Sequence, residues 1–302
     1  MKKISFLIVN YYTFEYVKKL TESINCHILE FDYEILISDN SCNVVEKNKI
    51  ESLANSYIKI FIADKNYGFV KSNNYLSKKA MGDLLVLINP DTLLIDKSLE
   101  NIFNYLFEHV DIAVAGPMLL NEDMSYQISF FKFPNLISLF KEHILLFPSN
   151  VYAYKTDYKK KQYCNVIKGA CLIIKSNFLT NGQVFDENFI MYSEETELCL
   201  RIQRLGKKVL YYPDAKIIHY GEKSTSQKIA NEYSLFHYYR SKLIFLKKYY
   251  KKNKMNFARL ILFSSLIEKS IILYIFNKKE NSKIHFSVFK KLIRNAENLP
   301  NL

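Results

Sequence analysis

Apolar and polar positions alternate in blocks along the first 120 residues of the chain. Residues 4–9, 34–38, 58–63 and 84–88 are continuous aliphatic or β-branched runs with the length of buried strands. Between them, residues 16–25, 44–55 and 70–80 have helical length and polarity. This β-α-β-α order predicts a parallel sheet covered by helices on both faces. Leu99, Ile102, Phe103, Leu106 and Val110 recur at helical spacing, predicting an amphipathic helix after Asp96, then a strand at 112–115 that ends at Gly116-Pro117. Residues 121–165 lose periodicity and contain Pro134, Pro148 and the run Lys159-Lys160-Lys161. A connection that long inside a domain marks a segment for partner or acceptor contact. Leu198, Ile202 and Leu205 form a helical stripe that Gly206 stops, and a strand through Ile217-Ile218 leads into His219-Tyr220-Gly221. Two apolar helical patterns follow, at 243–250 and 257–276, interleaved with lysines and Arg259. The second has the length of a membrane span, but Arg259, Glu268 and Lys269 interrupt it and argue against spanning.

With 302 residues, 49% apolar and 24% charged, the chain can bury a full-sized core, which excludes disordered and collagen-like classes. Its formal charge of +12 points to an anionic partner, and the distribution of that charge changes the picture. Residues 1–232 carry 27 basic and 27 acidic side chains, whereas residues 233–302 carry 15 and 3. The chain is therefore expected to comprise a neutral domain, 1–232, and a basic helical extension, 233–302. Five cysteines without C-x-x-C spacing read as reduced core thiols. The opening apolar run is too short for a signal peptide and has no small-residue cleavage site, so a cytoplasmic protein beginning with a strand is expected. Only seven glycines occur, all between 68 and 221, and each is expected at a turn, a cap or a close backbone approach.

The candidate chemistry lies at the ends of the predicted strands. Asn89-Pro90-Asp91 puts a carboxylate at the carboxyl edge of the sheet, where open α/β folds bind ligands. Asp91 can there ligate a hard divalent cation on a diphosphate, or Asn89 and Asp91 can merely form a turn. Asp39-Asn40-Ser41 is placed to read a base or ribose, and fits a plain Asx-turn equally well. Asn66-Tyr67-Gly68 opens a helix whose first amides can approach a phosphate or sugar, although one glycine is no dinucleotide fingerprint. Glu194, Glu195 and Glu197 crowd one helical turn. Carboxylates there complement the helix dipole, but they also repel one another, which raises the pKa of at least one and suits it to act as a base. His219, entering a polar turn, is either a metal or phosphate contact or a structural histidine. The chain contains no Gly-x-Ser-x-Gly elbow, P-loop, H-E-x-x-H or zinc spacing, so hydrolase, P-loop and metalloprotease readings lose their support.

Taken in order, these segments resemble the nucleotide-sugar glycosyltransferases of family 2, especially the bacterial rhamnosyltransferase-like branch. The matching residues are Ile8-Val9-Asn10-Tyr11-Tyr12, Asp39-Asn40-Ser41, Asn66-Tyr67-Gly68-Phe69 with Asn73-Asn74, Asn89-Pro90-Asp91-Thr92, Lys168-Gly169-Ala170, Phe185-Asp186-Glu187 through Glu194–Arg201, and His219-Tyr220-Gly221. Tyr239-Arg240-Ser241-Lys242-Leu243 resembles a further segment of that branch. The resemblance implies a GT-A fold, an α/β architecture with a Rossmann-like, mostly parallel sheet flanked by helices, carrying a C-terminal helical extension. It implies inverting, metal-dependent transfer of a sugar such as rhamnose from a nucleoside diphosphate donor to a glycan or polyprenyl-diphosphate-linked glycan, in bacterial surface polysaccharide synthesis. Val9, Asn10, Asp39, Asn66, Gly68, Asn74, Asn89, Asp91, Gly169 and Ala170 are then expected at the donor. Asp91 and His219 are expected at a Mg²⁺ or Mn²⁺ ion, Glu195 as the general base, and Glu194 and Glu197 on the acceptor side. Asn89 replaces the first aspartate of the family's D-x-D, as is usual in this branch. Glu195 and Glu197 stand where relatives more often have aspartate.

The basic extension is expected to lie as an amphipathic hairpin on the anionic inner face of the cell membrane, or to pack on the catalytic domain or on a second subunit as a homodimer. Two other readings compete with an enzyme. The two glutamates leave room for a catalytically silent glycosyltransferase-like scaffold. A nucleic-acid-binding protein would account for the basic extension, but leaves Asn89-Pro90-Asp91 and the glutamate cluster unexplained, so no nucleic-acid partner is expected.

Overall fold

The computed structural model describes residues 2–146, 152–154, 156–221 and 230–294. The first half of the chain runs β1 (Lys3–Asn10), α1 (Phe14–His27), β2 (Asp32–Asp39), α2 (Val44–Glu51), β3 (Ile58–Ile62), α3 (Gly68–Lys79), β4 (Leu84–Ile88), β5 (Thr92–Leu94), α4 (Leu99–Glu108) and β6 (Ile112–Leu120). Short elements follow: β7 (Tyr126–Gln127), β8 (Phe130–Phe131), α5 (Leu136–His143), β9 (Gln162–Tyr163), β10 (Val166–Ile167) and β11 (Cys171–Lys175). The chain then forms α6 (Glu194–Arg204), β12 (Lys208–His219), α7 (Ala230–Tyr249), α8 (Lys252–Ile275) and α9 (Lys279–Arg294). These elements divide into two compact units. One contains residues 1–132, 154–187 and 195–224; the other contains 133–153, 188–194 and 225–302. The second unit thus takes in two segments from within the electrically neutral part of the chain.

The first unit is built on one sheet of order β3-β2-β1-β4-β11-β6-β12-β5, with β7 beside β6 and β9 beside β12. β1 runs parallel to β2 and β4, and β6 runs parallel to β12, while β11 is inserted antiparallel between β4 and β6. β4 and β6 are buried along their whole length, as strands covered on both faces must be. Alternation fixes the core: Ile4, Phe6 and Ile8 share a face with Leu84, Val86 and Ile88, and pack against Val17, Leu20 and Ile24 of α1 and Ile102, Phe103 and Leu106 of α4.

Several local expectations change, among them the stripe of α4, which ends at Glu108 and leaves Val110 exposed. β6 does not stop at Gly116-Pro117 but continues to Leu120. Pro117 lies opposite Tyr212, where β12 shifts register before Lys216, so the missing proline N–H falls at an irregularity in the ladder. A Cβ on Gly116 would stand 2.2 Å from Ile167 Cγ2, so only glycine permits that approach. Residues 121–165 hold two-residue strands too short to show a period, and α5, which Asn135 and Ser138 open with a reciprocal capping box. Leu205 is exposed, leaving Leu198 and Ile202 as the buried stripe of α6, and Gly206 ends the helix in the left-handed region at φ +74°. Cys164, Cys171 and Cys199 are buried thiols, whereas Cys26 and Cys42 are exposed ones.

In the second unit the two apolar patterns of the extension are the C-terminal part of α7 and most of α8, and α9 is a third helix that the pattern did not reveal. A buried polar network joins them to α5. Lys242 Nζ lies 2.7 Å from Glu142 and 3.1 Å from His143 Nε2, Tyr152 donates to Glu142 at 2.5 Å, and Tyr239 meets Ser265 at 3.0 Å. Arg240 donates to the carbonyl of Asn188 at 2.9 Å and Ser241 to that of Met191 at 2.7 Å, so α7 holds the segment immediately before Glu195. Among the described residues, no helix is long and apolar enough to cross a membrane.

Candidate active site

Parallel pairing brings the carboxyl ends of β1 and β2 side by side, with Asn10 opposite Asp39. Asn10 Nδ2 donates to Asp39 Oδ1 at 2.8 Å, and its own Oδ1 accepts from the amide and hydroxyl of Thr13. Asp39 also accepts from the amide of Ser41 at 3.1 Å and from its hydroxyl at 2.8 Å, so the Asx-turn forms. The turn and Asn10 together engage three of the roughly four lone-pair directions of a carboxylate, leaving Asp39 capacity for a further donor such as a base N–H or a ribose hydroxyl. Val9 is half-buried in the same ladder, beside Ser38. Glu46, which the sequence pattern did not single out, accepts from Asn10 at 3.2 Å and from the amide of Phe14 at 3.0 Å.

The second group sits where β4 ends. β5 pairs antiparallel with β12, placing His219 opposite Thr92, and the amide of Tyr220 donates to the carbonyl of Asp91 at 2.9 Å. This ladder brings His219 Nε2 to 3.6 Å from Asp91 Oδ1, and both residues are buried. Gln127 fixes the state of the imidazole. Its amide nitrogen donates to Asn121 and to the carbonyl of His219, while its oxygen accepts from Lys168 Nζ at 2.9 Å. That oxygen lies 2.6 Å from His219 Nδ1, so Nδ1 carries the proton and Nε2 presents a lone pair toward Asp91. Burial, with the Lys168 charge, pulls the pKa of His219 down to about 4, so the ring is neutral at pH 7. Burial raises the Asp91 carboxyl, and Lys168 partly opposes that rise.

A lone pair facing a carboxylate, both buried, is the chemistry of a cation site. Among the described residues no cluster of three or more His, Cys, Asp or Glu side chains could hold a metal. Two protein ligands nevertheless suit a divalent ion that shares its coordination with substrate phosphates and water. The donor set therefore fits Mg²⁺ or Mn²⁺.

Glu195 occupies the first turn of α6. Its Oε2 is buried and has no hydrogen-bond partner among the described residues. Burial pushes this carboxyl up, against the amides of Glu195 and Thr196 and the charge of Lys168, which pull it down. A Cβ on Gly169 would lie 3.9 Å from Glu195 Cβ, so the Lys168-Gly169-Ala170 segment runs past the glutamate. The carbonyl of Ala170 in turn accepts from the amide of Asn89 at 2.9 Å, tying that segment to the end of β4. Lys168 is the cation whose field reaches Asp91, His219 and Glu195 alike.

The remaining expected residues serve the frame. Asn66 accepts from the amide of Gly68 at 2.9 Å, so that amide is committed to the start of α3. Asn74 is buried and spends its amide on the backbone of Val184 and Phe185, at 2.8–3.1 Å, anchoring α3 to the segment that leads toward Glu195. Glu197 is fully buried and lies 3.4 Å from Arg201, whose guanidinium donates to Val184. It is thereby committed to the buried side of α6. Glu194 is also buried and belongs to the second unit. Sequence reasoning missed Gln127 and did not assign Lys168 a role. Lys168 stood inside a quoted motif, whereas Gln127, in a two-residue strand, left no signal.

The model of glycosyl transferase family 2 matches residues 5–175 of the chain. Over 227 residues, 71% of this chain and 82% of the relative, the sequence is 26% identical to Rhamnosyltransferase WbbL of Escherichia coli (strain K12). Over 170 residues, 54% of this chain and 55% of the relative, it is 25% identical to the N-acetylglucosaminyl-diphospho-decaprenol L-rhamnosyltransferase of Mycobacterium tuberculosis (strain CDC 1551 / Oshkosh). Among solved structures, the mannosyltransferase PcManGT from Pyrobaculum calidifontis, in complex with GDP-Man and Mn²⁺, aligns with a TM-score of 0.56 at 10% identity, covering 98% of this chain and 88% of that one. GalNAc-T7 with UDP, GalNAc and Mn²⁺ aligns at 0.59 and 13% identity, covering 83% of this chain and 49% of that one. At such identities these two likenesses establish the fold alone. With its mostly parallel sheet, its carboxylates gathered at the strand ends and its match to the family over more than half its length, the chain belongs to glycosyl transferase family 2 and is a nucleotide-sugar glycosyltransferase of GT-A fold.

Proposed function

We propose that the protein transfers a deoxyhexose such as rhamnose, with inversion, from a nucleoside diphosphate donor to a lipid-linked glycan acceptor. The named activities of the bacterial relatives support the sugar, and the decaprenol-linked substrate in one relative's name supports the acceptor class. The observation that carries the catalytic reading is the buried, unpartnered oxygen of Glu195 on a carboxyl whose pKa is raised. A buried polar atom without a partner is rare in a folded protein and marks a place reserved for a ligand or a proton.

Glu195 takes the proton of the acceptor hydroxyl as that oxygen bonds to the anomeric carbon. The bond from that carbon to the diphosphate oxygen breaks on the opposite face, and the nucleoside diphosphate leaves. Asp39, with Asn10 behind it, orients the nucleoside, and Lys168 lends positive charge to the diphosphate side. Asp91 and His219 would hold a Mg²⁺ or Mn²⁺ ion, which when bound neutralises the departing diphosphate.

Glu195→Gln and Asp91→Asn test this reading through transfer from a dTDP-rhamnose donor, with melting temperature as the folding control. Each substitution should lower turnover by about 10²–10⁴-fold, the usual weight of a general base or of an electrostatic stabiliser, with the fold intact. Turnover within a few-fold of the parent in Glu195→Gln would remove Glu195 from the chemistry. An inactive parent that still binds the donor would favour the silent-scaffold reading.

A further inference from the structure

Every exposed position of α8 from Phe257 onward is apolar: Phe257, Leu260, Ile267, Ile271, Tyr274 and Ile275. They recur at helical spacing and make one continuous face. Of the six buried positions of the same helix, three are small: Ala258, Ser265 and Ser270. Ser270 and Ser282 of α9 exchange hydrogen bonds with each other's carbonyl oxygens, at 3.0 and 2.8 Å. A helix of a water-exposed bundle has the reverse arrangement, with its polar residues outside. An apolar outer face over an inner one that mixes Ile261, Leu262 and Leu266 with Ala258 and the hydrogen-bonded Ser265 and Ser270 suits a helix whose outer side meets lipid. The outer face also bears a shallow cavity of about 370 Å³ lined by Ser264, Ile267, Glu268, Ile271 and Ile272.

Charge decides what covers this face. Exposed Lys251, Lys252 and Lys254 precede it, and exposed Lys278 and Lys279 follow it. Between residues 251 and 283 the acids are Glu268 and Glu280, and Glu280 lies 3.1 Å from Lys283. A second copy docked on the same face would set lysines against lysines whether the helices ran parallel or antiparallel. An anionic bilayer complements both ends at once. We propose that the outer face of α8 is a membrane-docking surface, on which the helix lies in the plane of an anionic bilayer with its apolar side chains among the acyl chains and its terminal lysines at the phosphates.

The test is cosedimentation of the full chain with phosphatidylcholine vesicles, with and without phosphatidylglycerol, at low and high sodium chloride. The parent should bind the anionic vesicles, and salt should weaken that binding. The double variant Ile267→Ser/Ile271→Ser and the triple variant Lys251→Gln/Lys252→Gln/Lys254→Gln should each lose about tenfold or more in vesicle affinity. All substituted positions are exposed, so the melting temperature and donor hydrolysis should stay at the parent's values. Equal binding by parent and variants, or none by the parent, overturns the proposal. So does a dimer seen by sedimentation velocity that Ile267→Ser/Ile271→Ser dissociates, since the face would then belong to a second copy. Vesicle binding is read without turnover, so its outcome is separate from that of the proposed reaction.

Discussion

Gln127 is the residue on which the Asp91–His219 pair turns. By accepting from Nδ1 it holds the imidazole in the tautomer that leaves Nε2 open, and by accepting from Lys168 it keeps that cation beside the pair. Outer contacts of this kind usually weigh about 10–100-fold in metal affinity. Gln127→Leu should therefore weaken Mn²⁺ binding, measured by calorimetry with a nucleoside diphosphate present, by about that factor. Lys168 makes a second prediction. Its charge lowers the Glu195 carboxyl against the upward push of burial, and a base must be ionised to work. Turnover should thus fall as pH drops through the Glu195 pKa, and Lys168→Gln should move that acid limb to higher pH. An unmoved limb in the pH–rate profile would separate Lys168 from Glu195. Asp39, Asp91, Glu195 and His219 were legible in the sequence because each ends an apolar run or opens a helix, and such positions are visible as breaks in pattern. Gln127 was not, because it lies in a two-residue strand paired with β6, and its side chain meets His219 of β12 across 92 positions of sequence.

At the scale of elements, the strands of the first ninety residues read most clearly, each bounded by polar residues or a turn. β4 is the predicted run itself, and β1 and β2 extend theirs by only one or two residues at either end. β6 was cut short because glycine followed by proline punctuates most chains, and only tertiary pairing shows why it does not do so here. The bare Cα of Gly116 is what permits the close approach of Ile167 in β10. Gly116→Ala should cost roughly 1–3 kcal/mol of stability, the price of overpacking a filled core, seen as a lowered melting temperature. An unchanged melting temperature would show that Ile167 can move aside. α9 escaped notice because Ser282, Val288 and Leu292 are its only buried positions, too sparse a stripe to register as a period.

For the molecule as a whole, the uneven charge of the chain coincides with a buried titratable network in the second unit. Burial holds His143 and His237 to a pKa of about 4, whereas an unfolded histidine titrates near 6.5. Between those values the unfolded chain binds protons that the folded one refuses, so stability should fall as pH falls from about 6.5 toward 4. Glu142 adds to the loss in more acid solution. Burial would raise its carboxyl, but His143 and Lys242 outweigh burial and hold it well below the ordinary range. Melting temperature against pH checks this, and His143→Gln should flatten the slope between those limits. The same sheet that positions Asp91 and His219 also sets what sequence drift it can bear. Because His219 is registered to Thr92 through the β12–β5 ladder, substitutions along β12 alter packing locally, but gaining or losing one residue between the Tyr212 irregularity and His219 would turn the imidazole to the opposite face. Descendants of this chain can therefore substitute residues along that strand more readily than they can change its length.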